Sequence, residues 1–144
     1  MLRRLISTSA TWIPIPLRLA TGVIFMAHGA QKVFGSFQGP GFKAFTSGSA
    51  PFEFMKPAWL WLAAAALSEL LGGLLIFLGL LTRLGAFFIA CTMITAIAAV
   101  HWPGFFAPRG IELPLSLLAA MFALLISGGG MASIDRAIAG GRRR

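Results

Sequence analysis

Arg18, His28, Lys32 and Glu69 are the residues through which this chain could do chemistry. Each sits inside a stretch otherwise apolar enough to cross a bilayer. Twelve Lys or Arg and four Asp or Glu are present among 144 residues, so a charge in such a stretch stands out. A charge at membrane depth costs several kcal/mol or more and tends to face a partner or a cavity. Arg18, Thr21, Phe25, His28 and Lys32 are spaced i, i+3, i+7, i+10 and i+14. At about 100° per residue they fall within an arc of roughly 80° on one helix face. Such a stripe belongs in the interior of a helix bundle.

Glu69 is the expected partner of the stripe. It lies roughly 18 Å along its own helix, near mid-membrane. Counted from the side of the N-terminus, Arg18 is shallower than Glu69 and His28 is deeper. A long Arg side chain could reach the carboxylate, or the carboxylate could meet His28. One reading is a buried salt bridge that fixes helix register. The other is a carboxylate that handles a proton or anchors a ligand, with Arg18 and His28 tuning its charge. Gly72 and Gly73 follow on nearly the same face, and with Ser68 they let another helix backbone approach closely.

A second polar group comprises His101 and Glu112, at the end and the start of successive apolar stretches. Glu112 could simply favour the positive end of a helix macrodipole. Two His on different helices raise bis-His haem ligation, but His28 and His101 sit at unequal depths, which disfavours it. The chain shows no CxxCH, no metal-ligand cluster, no nucleophile–His–acid triad and no Gly-rich phosphate loop. The single Cys91 excludes an intrachain disulfide.

The elements that must position these residues are helices. Hydrophobic residues make up 58% of the chain, above the roughly 45–50% of a soluble domain. The expectation is an all-α protein, a single membrane domain over residues 1–144 built as a four-transmembrane-helix bundle. The spans are placed at about 13–34, 57–80, 83–101 and 111–128, with a basic tail at 136–144. Pro14 and Pro16 suit a helix start, and the loop Trp102 to Gly110 cannot be regular helix. The first stretch reads as an uncleaved span, because it is too long and too charged for a signal peptide.

Four spans place both termini on one side, with Arg3, Arg4, Arg83, Arg136, Arg142, Arg143 and Arg144. The other side holds Lys43, Lys56 and Arg109, with Lys32 at its border. That bias makes both termini cytoplasmic. The formal charge of +8 is confined to helix flanks, so nucleic-acid binding is excluded as a function. The outer side carries eight of the thirteen Phe, together with Trp59, Trp61 and Trp102. They form either an interfacial belt or an apolar cap over a lipid-soluble ligand.

Several short pieces, in order along nearly the whole chain, carry a resemblance. They are Arg18-Leu-Ala-Thr-Gly22 with Phe25-Met-Ala-His28-Gly29-Ala-Gln31-Lys32, and Glu69-Leu-Leu-Gly72-Gly73 with Leu78-Gly79-Leu-Leu-Thr82-Arg83. Gly104-Phe105-Phe106 with Glu112-Leu-Pro114 follows, and then Gly128 to Asp135. In these the chain resembles the DoxX family of small four-helix bacterial membrane proteins. The resemblance implies a bundle in the bacterial inner membrane and a link to redox chemistry. Relatives include the large membrane subunit of a thiosulfate:quinone oxidoreductase, and others look like membrane anchors of oxidoreductase complexes in sulfur or oxidative-stress metabolism.

Three functions follow as expectations. The first is a quinone-interacting membrane subunit whose electrons come from an oxidoreductase partner. Glu69 would then accept protons with Arg18 and His28, and Gln31, Lys32, His101 and Glu112 would bind the ligand. Phe25, Trp59 and Trp102 would form the apolar slot. The second is a non-catalytic anchor or assembly factor whose tail holds acidic lipid or a partner. The third is a small proton-coupled transporter, as a homo-oligomer.

Overall fold

The computed structural model describes residues 5–106 and 108–141. Arg3, Arg4 and the final three arginines lie outside the described residues. No strand occurs among the described residues, and the chain is an all-α membrane protein. The long helices are α1 (Pro14–Phe34), α3 (Ala58–Leu78), α4 (Thr82–Ala96) and α5 (Glu112–Ser127). Two short helices, α2 (Gly41–Thr46) and α6 (Ile134–Gly141), lie in segments that the sequence reads as loop and tail. By length and composition, Ala58–Leu78 and Thr82–His101 are long and apolar enough to cross a membrane, and Glu112–Ser127 is a shorter apolar helix.

Local sequence sets the helix limits. Pro14 opens α1 at a position where its missing N–H is no loss. Gly35 and Gly79 end α1 and α3 in the left-handed conformation, at φ 73° and 68°, which a side chain would disfavour. The α4 helix runs on as a π-helical turn over Ile97–His101 and stops at Trp102, ahead of a proline that cannot continue it.

Packing runs α1 on α3, α3 on α4, and α4 on α5, with α2 seated across α1 and α3. The α1–α3 contact depends on small residues. A Cβ at Gly22 would lie 2.8 Å from that of Phe77, and one at Gly73 would lie 2.8 Å from the Met26 nitrogen. Gly29 meets the Leu70 backbone in the same way. These pairs run in opposite order along the two helices, so α1 and α3 are antiparallel and their register is fixed. Gly72 faces Ile89 and Gly85, and Ser68 bonds Thr92 at 2.7 Å, which seats α4 on α3. The shared core holds Phe25, Ile76, Ile89, Met93, Met121 and Leu124.

This arrangement gives the bundle two ends. The termini end gathers the start of α1, the α3–α4 turn, the end of α5, and α6. There Ser9 N–H donates to the Ser127 carbonyl at 2.9 Å, and Met131 N–H donates to that of Thr11 at 2.9 Å. The loop end carries residues 35–57 and the 102–111 connection.

Candidate functional site: a Lys–Glu pair under an aromatic cap

Glu69 pairs with Lys32. Neither Arg18 nor His28, the partners expected from depth along the helices, fills that role. The antiparallel register explains the difference. Gly29 opposite Leu70 places Lys32 about half a turn, roughly 3 Å, from the level of Glu69 along the bundle. In an α-helix every Cα–Cβ bond tilts toward the helix N-terminus. In antiparallel helices the Lys32 and Glu69 side chains therefore lean toward each other. The His28 side chain leans away from Glu69 for the same reason. Counting residues from each helix start misses this, because it fixes neither the register nor the lean. The signal was present in Gly22, Gly29 and Gly73, which mark where the backbones touch.

The pair is asymmetric in exposure. The Glu69 side chain is 4% exposed and that of Lys32 is 23% exposed. The Lys32 ammonium also stands 5.3 Å from the Phe45 ring centroid, within reach of a cation–π contact. Phe45 comes from α2, the short helix over the loop end. On the same helix as Lys32, Ala27, His28 and Gln31 line a shallow, open hollow of about 180 Å³ with Phe37, which neither Lys32 nor Glu69 lines. Gly39 packs directly on the Gln31 backbone, which holds the 35–40 turn against α1. The structure thus brings together Lys32 and Glu69, and His28 with Gln31.

The remaining expected residues stand elsewhere. Phe25 is buried in the core. Trp59 and Trp102 are 58% and 68% exposed, on the outer surface of the bundle. His101 Nδ1 bonds the Arg109 carbonyl at 3.0 Å, which ties the 102–110 loop to the end of α4. The Glu112 N–H donates to the Phe105 carbonyl at 3.0 Å, closing the other side of that loop.

Arg18 lies at the termini end. Its Nε and Nη2 each donate at 2.9 Å, to the Ile76 and Phe77 carbonyls, and its Nη1 donates to those of Ala132 at 2.8 Å and Gly129 at 2.5 Å. Arg18 therefore caps the C-terminus of α3, where carbonyls lack helical partners, and grips the chain beyond α5. Its match is Asp135, which the sequence marks only as the end of the piece Gly128 to Asp135. Asp135 is 1% exposed. Its carboxylate accepts the Leu81 N–H at 2.7 Å, the Thr82 N–H at 3.0 Å and the Thr82 hydroxyl at 2.9 Å. An anion thus caps the positive N-terminus of α4 and a cation caps the negative C-terminus of α3. Asp135 could have been suspected as an acid in the first turn after Ser133, whose Oγ accepts the Arg136 N–H at 3.2 Å as an N-cap does.

Comparison with known proteins agrees with this frame. The DoxX family model matches residues 13–102, a range that contains Arg18, His28, Lys32 and Glu69. The chain is 32% identical over 129 residues to a Bacillus subtilis (strain 168) protein named "Putative oxidoreductase CatD", covering 88% of this chain and 87% of that protein. No solved structure matches. The chain belongs to the DoxX family.

Proposed function

We propose that this protein is a four-span membrane subunit of a quinone-linked redox complex in the bacterial inner membrane, with both termini cytoplasmic. The observation that carries the proposal is the Lys32–Glu69 pair, with its carboxylate buried and its ammonium partly open; the same helix also carries the hollow that His28 and Gln31 line. A quinone head group needs hydrogen-bond donors at its carbonyl oxygens, an apolar wall and a route for protons. Lys32 and His28 supply donors, and Phe37 and Phe45 supply the wall. Glu69 holds or passes a proton. Reduction of the quinone takes two electrons and two protons, and the electrons come from an oxidoreductase partner subunit. The relative named as an oxidoreductase supports the redox setting.

The test is photolabelling of membranes with an azido-quinone. Label should enter the peptide that contains residues 27–45, an excess of unmodified quinone should suppress it, and Glu69→Gln should lose it while remaining folded. Label that is absent, or that Glu69→Gln leaves unchanged, contradicts the proposal.

A second reading, a non-catalytic anchor, draws on the termini end. There Arg18 and Asp135 hold the segment after α5 against the bundle, which presents a rigid cytoplasmic face to a partner. In that case Glu69→Gln is tolerated in cells, and truncation after Gly141, which removes the final three arginines and keeps Asp135, is not.

A further inference from the structure

We propose that α2 is a lid over the Lys32–Glu69 pair, hinged at Gly41 and Gly48 and latched by the Phe45 ring on the Lys32 ammonium. The lid does not depend on the quinone reading; that its guest is a quinone rests on it. Phe45 joins lid to site, with its ring centroid 5.3 Å from the ammonium. An aromatic face attracts a cation, yet a single contact of this kind is weak enough to break and remake. The ammonium is the open member of the pair, at 23% exposure against 4% for the carboxylate. A guest that takes the face of the ammonium under Phe45 must first displace that ring. When α2 closes again, Phe45 comes to lie against the guest.

The rest of α2 suits a moving element. It rests across α1 and α3, yet none of its six residues is buried. A helix this short is not stable alone. Thr46 donates to the Phe42 carbonyl at 2.8 Å and Ser47 to that of Ala44 at 2.9 Å. Among the described residues, no side-chain hydrogen bond runs from α2 to α1 or α3. Segments held by so few buried contacts open locally while the core stays folded.

The two flanks explain where the motion falls. Gly35 and Gly41 are both left-handed, at φ 73° and 72°, and a Cβ on Gly41 would lie 3.8 Å from the Gly35 Cα. Between them Phe37 and Gln38 also have positive φ, 53° and 61°, a strained state that persists only where the surroundings impose it. Gly39 packed on the Gln31 backbone imposes it here. The 35–40 turn is thus fixed to α1, and rotation falls on Gly41. On the other flank Ser47, Gly48 and Ser49 are exposed, as residues that absorb a hinge motion can be. A Cβ on Gly48 would lie 3.6 Å from the Leu62 Cδ1 of α3, so a short bridge between positions 48 and 62 would hold the lid shut.

The experiment is acylation of the full chain in nanodiscs with N-acetoxysuccinimide, without quinone, reading the rate at each lysine by mass spectrometry. Gly48→Cys with Leu62→Cys, in a Cys91→Ala background, is joined by a short bis-thiosulfonate that reductant reverses. The bridge should slow acylation of Lys32 severalfold, reductant should restore it, and Lys43 and Lys56, both exposed, should be unaffected. Phe45→Ala should speed acylation of Lys32 severalfold with little change in melting temperature, since Phe45 is not buried. A Lys32 rate that the bridge leaves unchanged, or that changes equally with those of Lys43 and Lys56, overturns the lid. The bridge should also suppress azido-quinone labelling of residues 27–45 until it is reduced. Photolabelling that ignores the bridge while Lys32 responds to it overturns the quinone as the guest and upholds the lid.

Discussion

The two ends of the bundle use buried charge in different ways. At the termini end, Arg18 and Asp135 are 3% and 1% exposed, and both direct their polar atoms at backbone. Arg18 commits donors to four carbonyls, and Asp135 accepts from two N–H groups and a hydroxyl. At the loop end, Lys32 and Glu69 bind side chain to side chain, and the ammonium remains partly exposed. Charges locked onto helix termini have little left to offer a ligand. A pair with one open partner can exchange protons or hydrogen bonds with a guest. Under the proposed function the first end is structural and the second chemical, although the sequence places Arg18 and Lys32 on the same stripe.

The comparison can be broken first at Arg18. Arg18→Met removes the cap from α3 and the grip on Gly129 and Ala132, leaving buried carbonyls unpaired. A loss of about 3–5 kcal/mol is expected, read as a large drop in melting temperature or in the yield of folded protein. A variant that melts within a few degrees of wild type would remove the structural role from that end.

Gly29→Ala sharpens the register argument. Its Cβ would meet the Leu70 backbone, which cannot move aside as a flexible side chain would. Overpacking of this kind costs about 1–3 kcal/mol and shifts α1 along or away from α3. Crosslinking between cysteines placed at positions 32 and 69 should fall in this variant. Unchanged crosslinking would mean that the glycine contacts do not set the pairing.

A double-mutant cycle tests the pair itself. Lys32→Met leaves a buried carboxylate unpaired, and adding Glu69→Gln should recover part of the lost stability. A coupling of about 0.5–3 kcal/mol is expected from thermal unfolding. Strictly additive effects would show that the two groups do not interact. The smallest effect is expected at His101. His101→Ala removes one partly exposed hydrogen bond to the Arg109 carbonyl, so a change near 0.5–1.5 kcal/mol is the upper range. Proteolysis of the 102–110 loop should report it better than global melting.

Much of the frame was legible in the sequence because long apolar stretches with Pro at their starts and Gly at their ends admit few alternatives. The polar stripe on α1 was legible for the same geometric reason. The pairing was not, because depth along a single helix says nothing of antiparallel register or of the lean of side chains toward each N-terminus. Arg18 looked like a partner for Glu69 because only Glu69 offered a membrane-depth acid. The carbonyls at the end of α3 carry no sequence signal of their need. Helices α2 and α6 were missed because such short pieces are marginal alone and depend on tertiary contacts, here Phe45 over Lys32 and Asp135 on Thr82.

The most direct test of the assignment is a quinone titration of nanodisc-embedded wild type, Glu69→Gln and Asp135→Asn, each with its melting temperature. Glu69→Gln should bind at least about tenfold more weakly, a change near 1.4 kcal/mol, while melting close to wild type. Asp135→Asn should melt much lower yet bind with wild-type affinity at temperatures where it is folded. The reverse pattern, with binding lost at Asp135 and retained at Glu69, would contradict the division of the molecule into a structural end and a chemical end.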